Sequence, residues 1–490
     1  MSDHTTYIIG VDIGTSSTKS IVLGMNGKIR ASFQRPYPTR HPHPGYSEQD
    51  PEEILLAVKA AIREVVTQMD SAPAAISFSS AMHSIMAIDT EGAALTPLII
   101  WADNRSESCA LSLRDTPEGR LIYRQTGTPV HAMSPLCKIM WLREQQPALF
   151  AKTAMFLGIK EYIFHHFSGS YLIDASIASA TGLFDIHTFR WNEAALAAAG
   201  ITAAQLPQPV PTEHIAKGLL PDRARELGIP ANTPFVIGAS DGCLAQLGSR
   251  AIDKGHATLT IGTSGAVRVA APAPLTDAQG RLFTYILTDK IYIIGGASNN
   301  GGVVLQWLVR DFLQQPLSAL DGLVNEALAT DPGRLLCLPY LLGERAPVWN
   351  SHASAAFIGI QAHHTPAHFT RAVLEGICFS LLSIKEALEE TAGPISVISV
   401  SGGFTNAPGW IQLMADIFGQ EMHLHQESDA SALGAIFLAC NALALTGWDD
   451  AAIAAEKVFM PDKSRCEGYQ KKYRRFRKLY ELSEICLAQD

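Results

Sequence analysis

An aspartate, a loop of glycine and hydroxyl residues and a lysine follow one another near the N-terminus of this chain. The segment from Asp12 to Lys19 reads Asp-Ile-Gly-Thr-Ser-Ser-Thr-Lys and comes directly after an apolar, β-prone run. Backbone N–H groups, hydroxyls and a lysine suit an anionic phosphate, and a carboxylate can hold Mg²⁺ through water, since this ion keeps several of its waters. A plain hairpin turn is the alternative interpretation, because Gly, Ser and Thr are common in turns.

A second carboxylate stands at the end of another apolar run. Residues 235–240 are predicted to form a strand, and Asp241 and Gly242 follow it. Binding residues of α/β proteins gather at the carboxyl ends of strands, and a glycine leaves room beside such a side chain. Aspartate also caps helices well, and the two roles are compatible.

A third group is polar and rich in donors and acceptors. His83, Trp101, Asp103 and Arg105 come after two apolar, strand-like runs. A polyol needs hydrogen-bonding groups at fixed positions, and a sugar acid also needs a cation. Packing is the alternative for a lone His or Trp, but the density of polar groups in Trp-Ala-Asp-Asn-Arg favours a binding role.

The elements that must position these groups repeat along the chain. The tetrapeptide Ile13–Ser16 recurs as Ile261–Ser264, an offset of 261 − 13 = 248 residues in a chain of 490. Each copy follows a β-prone run and precedes another, so we predict a duplicated strand–loop–strand unit. We predict two domains, 1–252 and 253–490. Two further small-residue loops, at 299–302 and 401–406, each precede an apolar helical pattern.

Composition limits the class of protein. Hydrophobic residues make up 47% and charged residues 17%, and the formal net charge is −9, which argues against a general nucleic-acid binder. The eight scattered cysteines predict reduced thiols and no zinc site. The apolar stretch 433–445 is too short to span a membrane and the N-terminus does not read as a signal peptide, so we expect a soluble cytoplasmic protein.

The basic segment 471–478 carries aromatic residues at helical spacing. Tyr469, Tyr473, Phe476 and Tyr480 fall on one face of a predicted helix. We interpret this face as a packing stripe with the cations in water. Nucleic-acid binding is the alternative, but one helical run of charge is a poor footprint for it.

Taken together, these loops resemble the FGGY family of carbohydrate kinases from about Tyr7 to about Leu445. The segment 339–347 looks like the family's GER-x-P pattern, and 355–375 looks like its second signature, with Ala355-Ala356 in place of the usual Arg-Gly. The resemblance implies an α/β fold of the duplicated actin-like, ribonuclease-H-like ATPase type, with two domains and a cleft between them. It also implies ATP and Mg²⁺ as cofactors.

The resemblance implies a role for each matched residue. Asp241 matches the family's catalytic base, and Asp12 would hold Mg²⁺ through water beside the first phosphate loop. The nucleotide-binding residues that it implies are Thr15, Ser16 and Lys19 in the first phosphate loop, Thr263 and Gly265 in the second, and Gly302, Gly403 and Asn406 on the nucleotide side.

Within the family, several segments are similar to the gluconate kinases. These are 80–84, 101–106, 126–129 and 158–162. The acceptor residues expected from the polar group and this similarity are Met82, His83, Trp101, Asp103, Arg105, Lys160, Glu161 and Asp241. Arg105, Lys160 and His83 are the candidates for contacting a substrate carboxylate.

The predicted reaction is transfer of phosphate from ATP to D-gluconate, giving 6-phosphogluconate. The alternatives are another acceptor, namely xylulose, ribulose or glycerol, or an actin-like ATPase that uses nucleotide to change shape. The sequence predicts a small sugar acid as partner and allows a homodimer. It predicts no nucleic-acid or membrane partner.

Overall fold

The computed structural model describes residues 6–216, 218–425, 429–445 and 457–487. The strands of the N-terminal half are β1 (Tyr7–Ile13), β2 (Ser17–Gly24), β3 (Ile29–Pro36), β4 (Glu48–Gln49), β5 (Ala75–Ser80), β6 (Met86–Ile88), β7 (Leu98–Ile99), β8 (Met155–Leu157), β9 (Leu172–Asp174), β10 (Phe184–Asp185), β11 (Arg190–Trp191), β12 (Gln208–Val210), β13 (Ile215–Ala216) and β14 (Phe235–Ser240). Its helices are α1 (Pro51–Thr67), α2 (Glu107–Arg114), α3 (Pro117–Thr126), α4 (Pro135–Gln145), α5 (Pro147–Phe150), α6 (Ile159–Ser168), α7 (Ala175–Ser179), α8 (Glu193–Ala199), α9 (Pro221–Leu227) and α10 (Asp241–Gly248), with a 3-10 turn at Ala203–Gln205.

The C-terminal half has fewer, longer elements. Its strands are β15 (His256–Ile261), β16 (Gly265–Ala271), β17 (Phe283–Thr288), β18 (Ile291–Ser298), β19 (Leu336–Leu338), β20 (Ala356–Ile358), β21 (Val397–Ser401), β22 (Met422–Leu424) and β23 (Lys457–Phe459). Its helices are α11 (Gly302–Trp307), α12 (Leu320–Leu328), α13 (Pro366–Ala392), α14 (Pro408–Phe418), α15 (Ala430–Ala442) and α16 (Lys463–Leu487), with a π-helical segment at Leu308–Phe312 and 3-10 turns at Leu317–Ala319 and Gly403–Asn406.

The two main sheets share one topology. The first has the order β13-β14-β5-β1-β2-β3 and the second β17-β18-β16-β15-β21-β22-β23. In the first, β1 pairs antiparallel with β2 and parallel with β5, which in turn pairs parallel with β14. In the second, β15 pairs antiparallel with β16 and parallel with β21, which pairs parallel with β22. The repeated tetrapeptide therefore marks the same turn, β1 to β2 and β15 to β16, of two equivalent sheets.

Helix α15 packs against the first sheet, although it belongs to the C-terminal half of the chain. Two glycines permit this approach, because a Cβ atom at Gly10 of β1 would lie 2.3 Å from the Ala432 carbonyl oxygen, and one at Gly434 would lie 2.0 Å from the Leu244 oxygen. The core around α15 mixes residues from both halves, among them Ile8 and Val236. The division at residue 252 follows chain order and stays a prediction.

Helix α13 lies inside the C-terminal half of the fold, and helix α16 packs one face against it. Helix α13 is long and apolar enough to cross a membrane by length and composition, but most of its residues are buried in the core of the second sheet. On α16 the predicted aromatic stripe packs against this core. Tyr473 and Phe476 are each 2% exposed and contact the ring of Phe379 on α13.

Candidate active site

Two glycine-containing turns carry the predicted phosphate loops. Residues 14–16 join β1 to β2, and residues 262–264 join β15 to β16. The second turn lies against the start of α11, where the Gly302 N–H donates to the Gly262 carbonyl at 2.8 Å. A Cβ atom at Gly301 would lie 2.5 Å from the Ser264 carbonyl oxygen, so this contact requires glycine. The turn carrying Thr263 and Gly265 is therefore held next to a helix N-terminus, an arrangement that favours anions.

The remaining residues predicted for the nucleotide side lie beside the second turn. The 3-10 turn with Gly403 and Asn406 begins just after β21 ends. Strand β21 runs parallel to β15, and the hydroxyls of Thr260 and Ser401 are 2.9 Å apart across the pair. Gly403 and Asn406 are both exposed, and a Cβ atom at Gly403 would meet nothing within 4 Å. This surface is open to a ligand.

The first turn is surrounded by carboxylates. Lys19 forms an ion pair with Asp429, which precedes α15. Asp12 accepts a hydrogen bond from the Ser79 hydroxyl at 2.7 Å. Burial, together with the negative charges of Asp241 and Asp429, raises the pKa of Asp12 to about 6 against the opposing effects of the Ser79 hydrogen bond and Lys19. Neighbouring acids that repel one another in this way suit a divalent cation.

That cation would take few ligands from the protein. Within the described ranges, no group of three or more His, Cys, Asp or Glu side chains is placed to hold a metal ion. The donor set on the protein is then the buried Asp12 carboxylate, on which the negative charge of Asp241 acts electrostatically. Such a set fits Mg²⁺, which retains several waters and takes its other ligands from phosphates.

A cavity of about 210 Å³ lies between the two halves of the chain. Of the predicted site residues, Thr15, Met82, His83, Trp101, Asp241 and Gly265 line it. The rest of its lining consists of Ala81, Met133, Ser264, Ala266, Arg268, Phe283, Tyr285, Ala297, Arg345 and Trp349. Residues of both turns thus share one cavity with Asp241.

Asp241 is the first residue of α10, directly after β14. Its Oδ1 accepts the Gly242 N–H at 2.6 Å, and its backbone carbonyl accepts the Ser431 hydroxyl at 3.2 Å. Burial raises the pKa of its carboxyl, while the Arg268 guanidinium and the Gly242 N–H lower it. The carboxylate thus stands both at the end of a strand and at the N-terminus of a helix, the two positions that the sequence suggested for it.

His83 is held in an unusual backbone conformation at the cavity wall, with φ at 68°. Its Nδ1 donates to the Ala180 carbonyl at 2.7 Å, so Nε2 accepts the Tyr285 hydroxyl at 3.3 Å. Burial lowers the pKa of His83 to about 3, with the charge of Lys138 adding to the effect. The ring is neutral at physiological pH, and both of its nitrogens have partners in the protein.

Lys138, which the sequence interpretation missed, ties three segments of this wall together. Its buried ammonium donates to the backbone carbonyls of His83, Ile100 and Met133 at 2.7, 2.8 and 2.9 Å. Burial lowers its pKa to about 7. Its apolar neighbours in α4 gave no signal in the sequence, because its partners are backbone atoms of distant segments.

Arg105 does not line the cavity. Its guanidinium bonds to Asp103 at 2.7 Å and Glu48 at 2.6 Å, and it stacks on the Tyr46 ring at 3.8 Å. Asp103 is buried and also accepts the Ser47 N–H at 2.6 Å. The positive charge of Arg105 is already paired with two carboxylates of the protein. The geometry therefore does not support Arg105 and Asp103 as direct acceptor contacts.

Lys160 and Glu161 lie below the cavity rather than on it. The Lys160 ammonium pairs with buried Asp174 at 2.7 Å and donates to the Ala239 carbonyl at 3.0 Å. Glu161 accepts the Gly158 N–H at 2.6 Å, and burial together with Asp174 raises its pKa to about 8. Lys160 anchors the strand that delivers Asp241 and Glu161 caps its own helix, and neither side chain lines the cavity.

The cations that do line the cavity are Arg268 and Arg345. Arg268 is the one charged residue of β16, whose sequence is Gly-Ala-Val-Arg-Val-Ala-Ala. A lone arginine in an apolar strand was the available signal, and the sequence interpretation did not use it. Arg345 belongs to the GER-x-P segment, and its guanidinium lies 4.9 Å from the centre of the Trp101 ring.

Two family models match the two halves of this chain. The model of the FGGY family of carbohydrate kinases, N-terminal domain, matches residues 7–248, and that of its C-terminal domain matches residues 257–443. The chain belongs to the FGGY family of carbohydrate kinases. This FGGY chain is therefore a sugar kinase, and family membership implies ATP as the phosphoryl donor.

Two curated relatives of this FGGY kinase act on different acceptors, according to their names. It is 43% identical over 446 residues to a gluconokinase from Bacillus subtilis (strain 168), a match that covers 89% of this chain and 87% of the relative. It is 29% identical over 484 residues to a xylulose kinase from the same organism, covering 97% and 95%.

Solved structures resemble this FGGY kinase over nearly its whole length. Gluconate kinase from Lactobacillus acidophilus superposes with a TM-score of 0.92 at 34% identity, covering 99% of both chains. A ligand-bound xylulose kinase from the same species gives 0.91 at 34%, again covering 99% of both. The predicted family, the enzyme class and the duplicated actin-like α/β fold are confirmed. The domain boundary and the site roles stay predictions.

Proposed function

We propose that this FGGY kinase transfers the γ-phosphate of ATP to the 6-hydroxyl of D-gluconate, giving ADP and 6-phosphogluconate. One observation carries the chemistry: Asp241 and residues of both glycine-containing turns line the same cavity. The choice of acceptor is supported by the higher identity to a gluconokinase, 43%, than to a xylulose kinase, 29%. We place the reaction in the cytoplasm.

Asp241 acts as the general base. A carboxylate whose pKa is raised by burial holds a proton more readily than an exposed one, so it can accept the hydroxyl proton as that oxygen attacks phosphorus. Base assistance of this kind contributes about 10²- to 10⁴-fold to the rate. The Gly242 N–H bond fixes one carboxylate oxygen, and the other is left for the acceptor.

The two turns hold the nucleotide phosphates. Backbone N–H groups of residues 15–16 and 263–264 and the hydroxyls of Thr15, Ser16 and Thr263 offset charge on the transferring group, as kinases generally require. Lys19 joins them when Asp429 releases it or shares it. Gly302, Gly403 and Asn406 line the path of the nucleotide beyond the phosphates.

Mg²⁺ fits beside Asp12, whose carboxylate would hold it through water. When bound, the ion would neutralise phosphate charge and relieve the repulsion that raises the pKa of Asp12. Trp101 and His83 position the acceptor from the opposite wall. Closure of the two halves around both ligands would exclude water, which otherwise competes as acceptor.

Xylulose is the second candidate acceptor, and one observation favours it. The ligand-bound xylulose kinase superposes as closely, within 0.01 in TM-score, as the gluconate kinase. The test measures ADP release with gluconate, xylulose, ribulose, glycerol and no acceptor, and identifies the product by phosphorus NMR. We expect a phosphomonoester on O6 of gluconate. ADP release that ignores the acceptor would instead indicate an ATPase.

A further inference from the structure

Arg268 reaches the cavity from the middle of β16. Its partner across the sheet is Gly295 of β18, and a Cβ atom there would lie 2.9 Å from the Arg268 Cγ atom. On the other side, a Cβ atom at Gly242 would lie 3.1 Å from the Arg268 Nε atom. Two glycines thus leave the space that this side chain occupies next to Asp241.

The Arg268 guanidinium has no partner in the described part of the chain. Its Nε is buried and makes no hydrogen bond. No carboxylate of the described residues lies within 4.0 Å of its nitrogens; Asp241 acts on it only at longer range, and burial lowers its pKa. Arg105 and Arg371, by contrast, each pair with a carboxylate. A buried cation without a partner is costly, so an anion from outside is the expected complement.

Arg345 adds a second cation to the same cavity. One of its terminal nitrogens donates to the Ser298 carbonyl at 3.3 Å, while its Nε is also buried and unpartnered. The adjacent Glu344 forms no ion pair with it and acts on it only at longer range, while its carboxylate accepts from the Ser298 hydroxyl and the Asn299 N–H at 2.7 and 2.9 Å.

The cavity therefore carries more positive than negative charge. Among its lining residues, Arg268 and Arg345 are cationic, Asp241 is anionic and His83 is neutral. An acceptor with one negative charge balances this set, whereas a neutral sugar leaves one guanidinium without a counterion. A carboxylate also matches the two-donor fork of an arginine.

We propose that Arg268 binds the carboxylate of the acceptor, with Arg345 at the same subsite, and that this contact selects a sugar acid over a neutral sugar. The assignment rests on the proposed gluconate kinase function. Arg345 lies in the segment that resembles the family's common GER-x-P pattern, so the selectivity is assigned to Arg268.

The test compares Arg268→Met and Arg268→Lys with the parent enzyme. We measure KM and kcat for D-gluconate, inhibition by the neutral analogue D-gluconamide, and the calorimetric Kd of ADP. Arg190→Met, an exposed arginine away from the cavity, is the matched control for loss of one positive charge.

Loss of the contact between Arg268 and the carboxylate should weaken acceptor binding. For Arg268→Met we expect kcat/KM for gluconate to drop roughly 30- to several-thousand-fold, mainly through KM, the range that truncating one member of a buried charged pair produces. The preference for gluconate over gluconamide should approach one, the ADP Kd should stay within threefold, and Arg268→Lys should recover part of the loss.

Other outcomes would overturn the assignment without touching the proposed function. A large fall in kcat with the gluconate KM unchanged would place Arg268 on the transferring phosphate. An equal loss of affinity for gluconate and for gluconamide would show that Arg268 does not bind the carboxylate. A parent enzyme that ignores gluconate would instead remove the proposed function itself.

Discussion

The indole N–H of Trp101 donates to the Thr15 hydroxyl at 2.9 Å. This bond joins the wall of the predicted acceptor cavity to the first predicted phosphate loop, and both residues line the cavity that contains Asp241. One face of the same indole lies near the Arg345 guanidinium, 4.9 Å from the ring centre. Donor and acceptor substrates would therefore meet across one shared set of side chains.

Replacing Asp241 by Asn should remove most of the catalytic activity and leave the affinities for nucleotide and gluconate unchanged. The amide keeps the shape of the side chain but cannot accept the hydroxyl proton, so kcat should fall about 10²- to 10⁴-fold. Titration with a nonhydrolysable ATP analogue and with gluconate should give affinities close to those of the parent. Turnover within threefold of the parent would remove Asp241 from the role of base.

Replacing Asp12 by Asn should stabilise the ligand-free protein at pH 8. The pKa of this carboxyl rises on folding from 3.8 to about 6, so its ionised form opposes folding above about pH 6 and has no effect below about pH 4. We expect a gain on the order of 1 to 3 kcal/mol at pH 8 that disappears as the pH falls to 4. Chemical denaturation across this range measures it.

The same variant should lose activity as it gains stability, because the amide no longer holds Mg²⁺ with a negative charge. The concentration of Mg²⁺ needed for half-maximal activity should rise. Glu91→Gln, at an exposed turn, is the control for loss of one surface carboxylate. A stability gain independent of pH would contradict the assigned cause.

Arg105 and Lys160 should prove structural. Lys160→Met leaves Asp174 buried without its cation, and removing one partner of a buried pair costs about 3 to 5 kcal/mol. Arg105→Ala similarly leaves Asp103 unpaired. Both variants should unfold at lower denaturant concentration, with an unchanged ratio of kcat/KM for gluconate to that for xylulose. A selective loss of gluconate activity at full stability would return them to the acceptor site.

The sequence could predict those parts of the site that depend on local pattern. Alternating apolar residues and small turn residues located both phosphate loops, and an apolar run ending in a carboxylate located Asp241. It could not show that the fold brings Glu48 to Arg105 across 57 residues, or Asp429 to Lys19 across 410. For the same reason the sequence left Arg105 as a candidate for the substrate carboxylate, with pairing to Asp103 or Glu107 as the alternative, and Arg268 was overlooked.

Gly301→Ala tests the packing of the second phosphate loop. The new Cβ atom would lie 2.5 Å from the Ser264 carbonyl oxygen, so the loop or the start of α11 must move. Since misplacement of positioning groups by about 1 Å can cost up to 10²-fold, we expect kcat/KM for ATP to fall about tenfold or more.

Gly322→Ala is the matched control, because a Cβ atom at this position in α12 meets nothing within 4 Å. It should be neutral or stabilise the protein by about 0.5 to 1 kcal/mol, as alanine does in a helix. Equal ATP kinetics in the two variants would show that the close approach of Gly301 to the loop does not matter.

The central claim is that the acceptor is gluconate, and the ratio of kcat/KM for D-gluconate to that for D-xylulose tests it most directly. Both acceptors should be measured in one preparation at saturating ATP and Mg²⁺ by coupled ADP release. Two arginines that form no ion pair with the described residues line the cavity together with one base and favour an anionic acceptor, so we predict a ratio of about 30 or more, since a missing partner for a buried charge costs at least about 2 kcal/mol. A ratio at or below one would contradict this account.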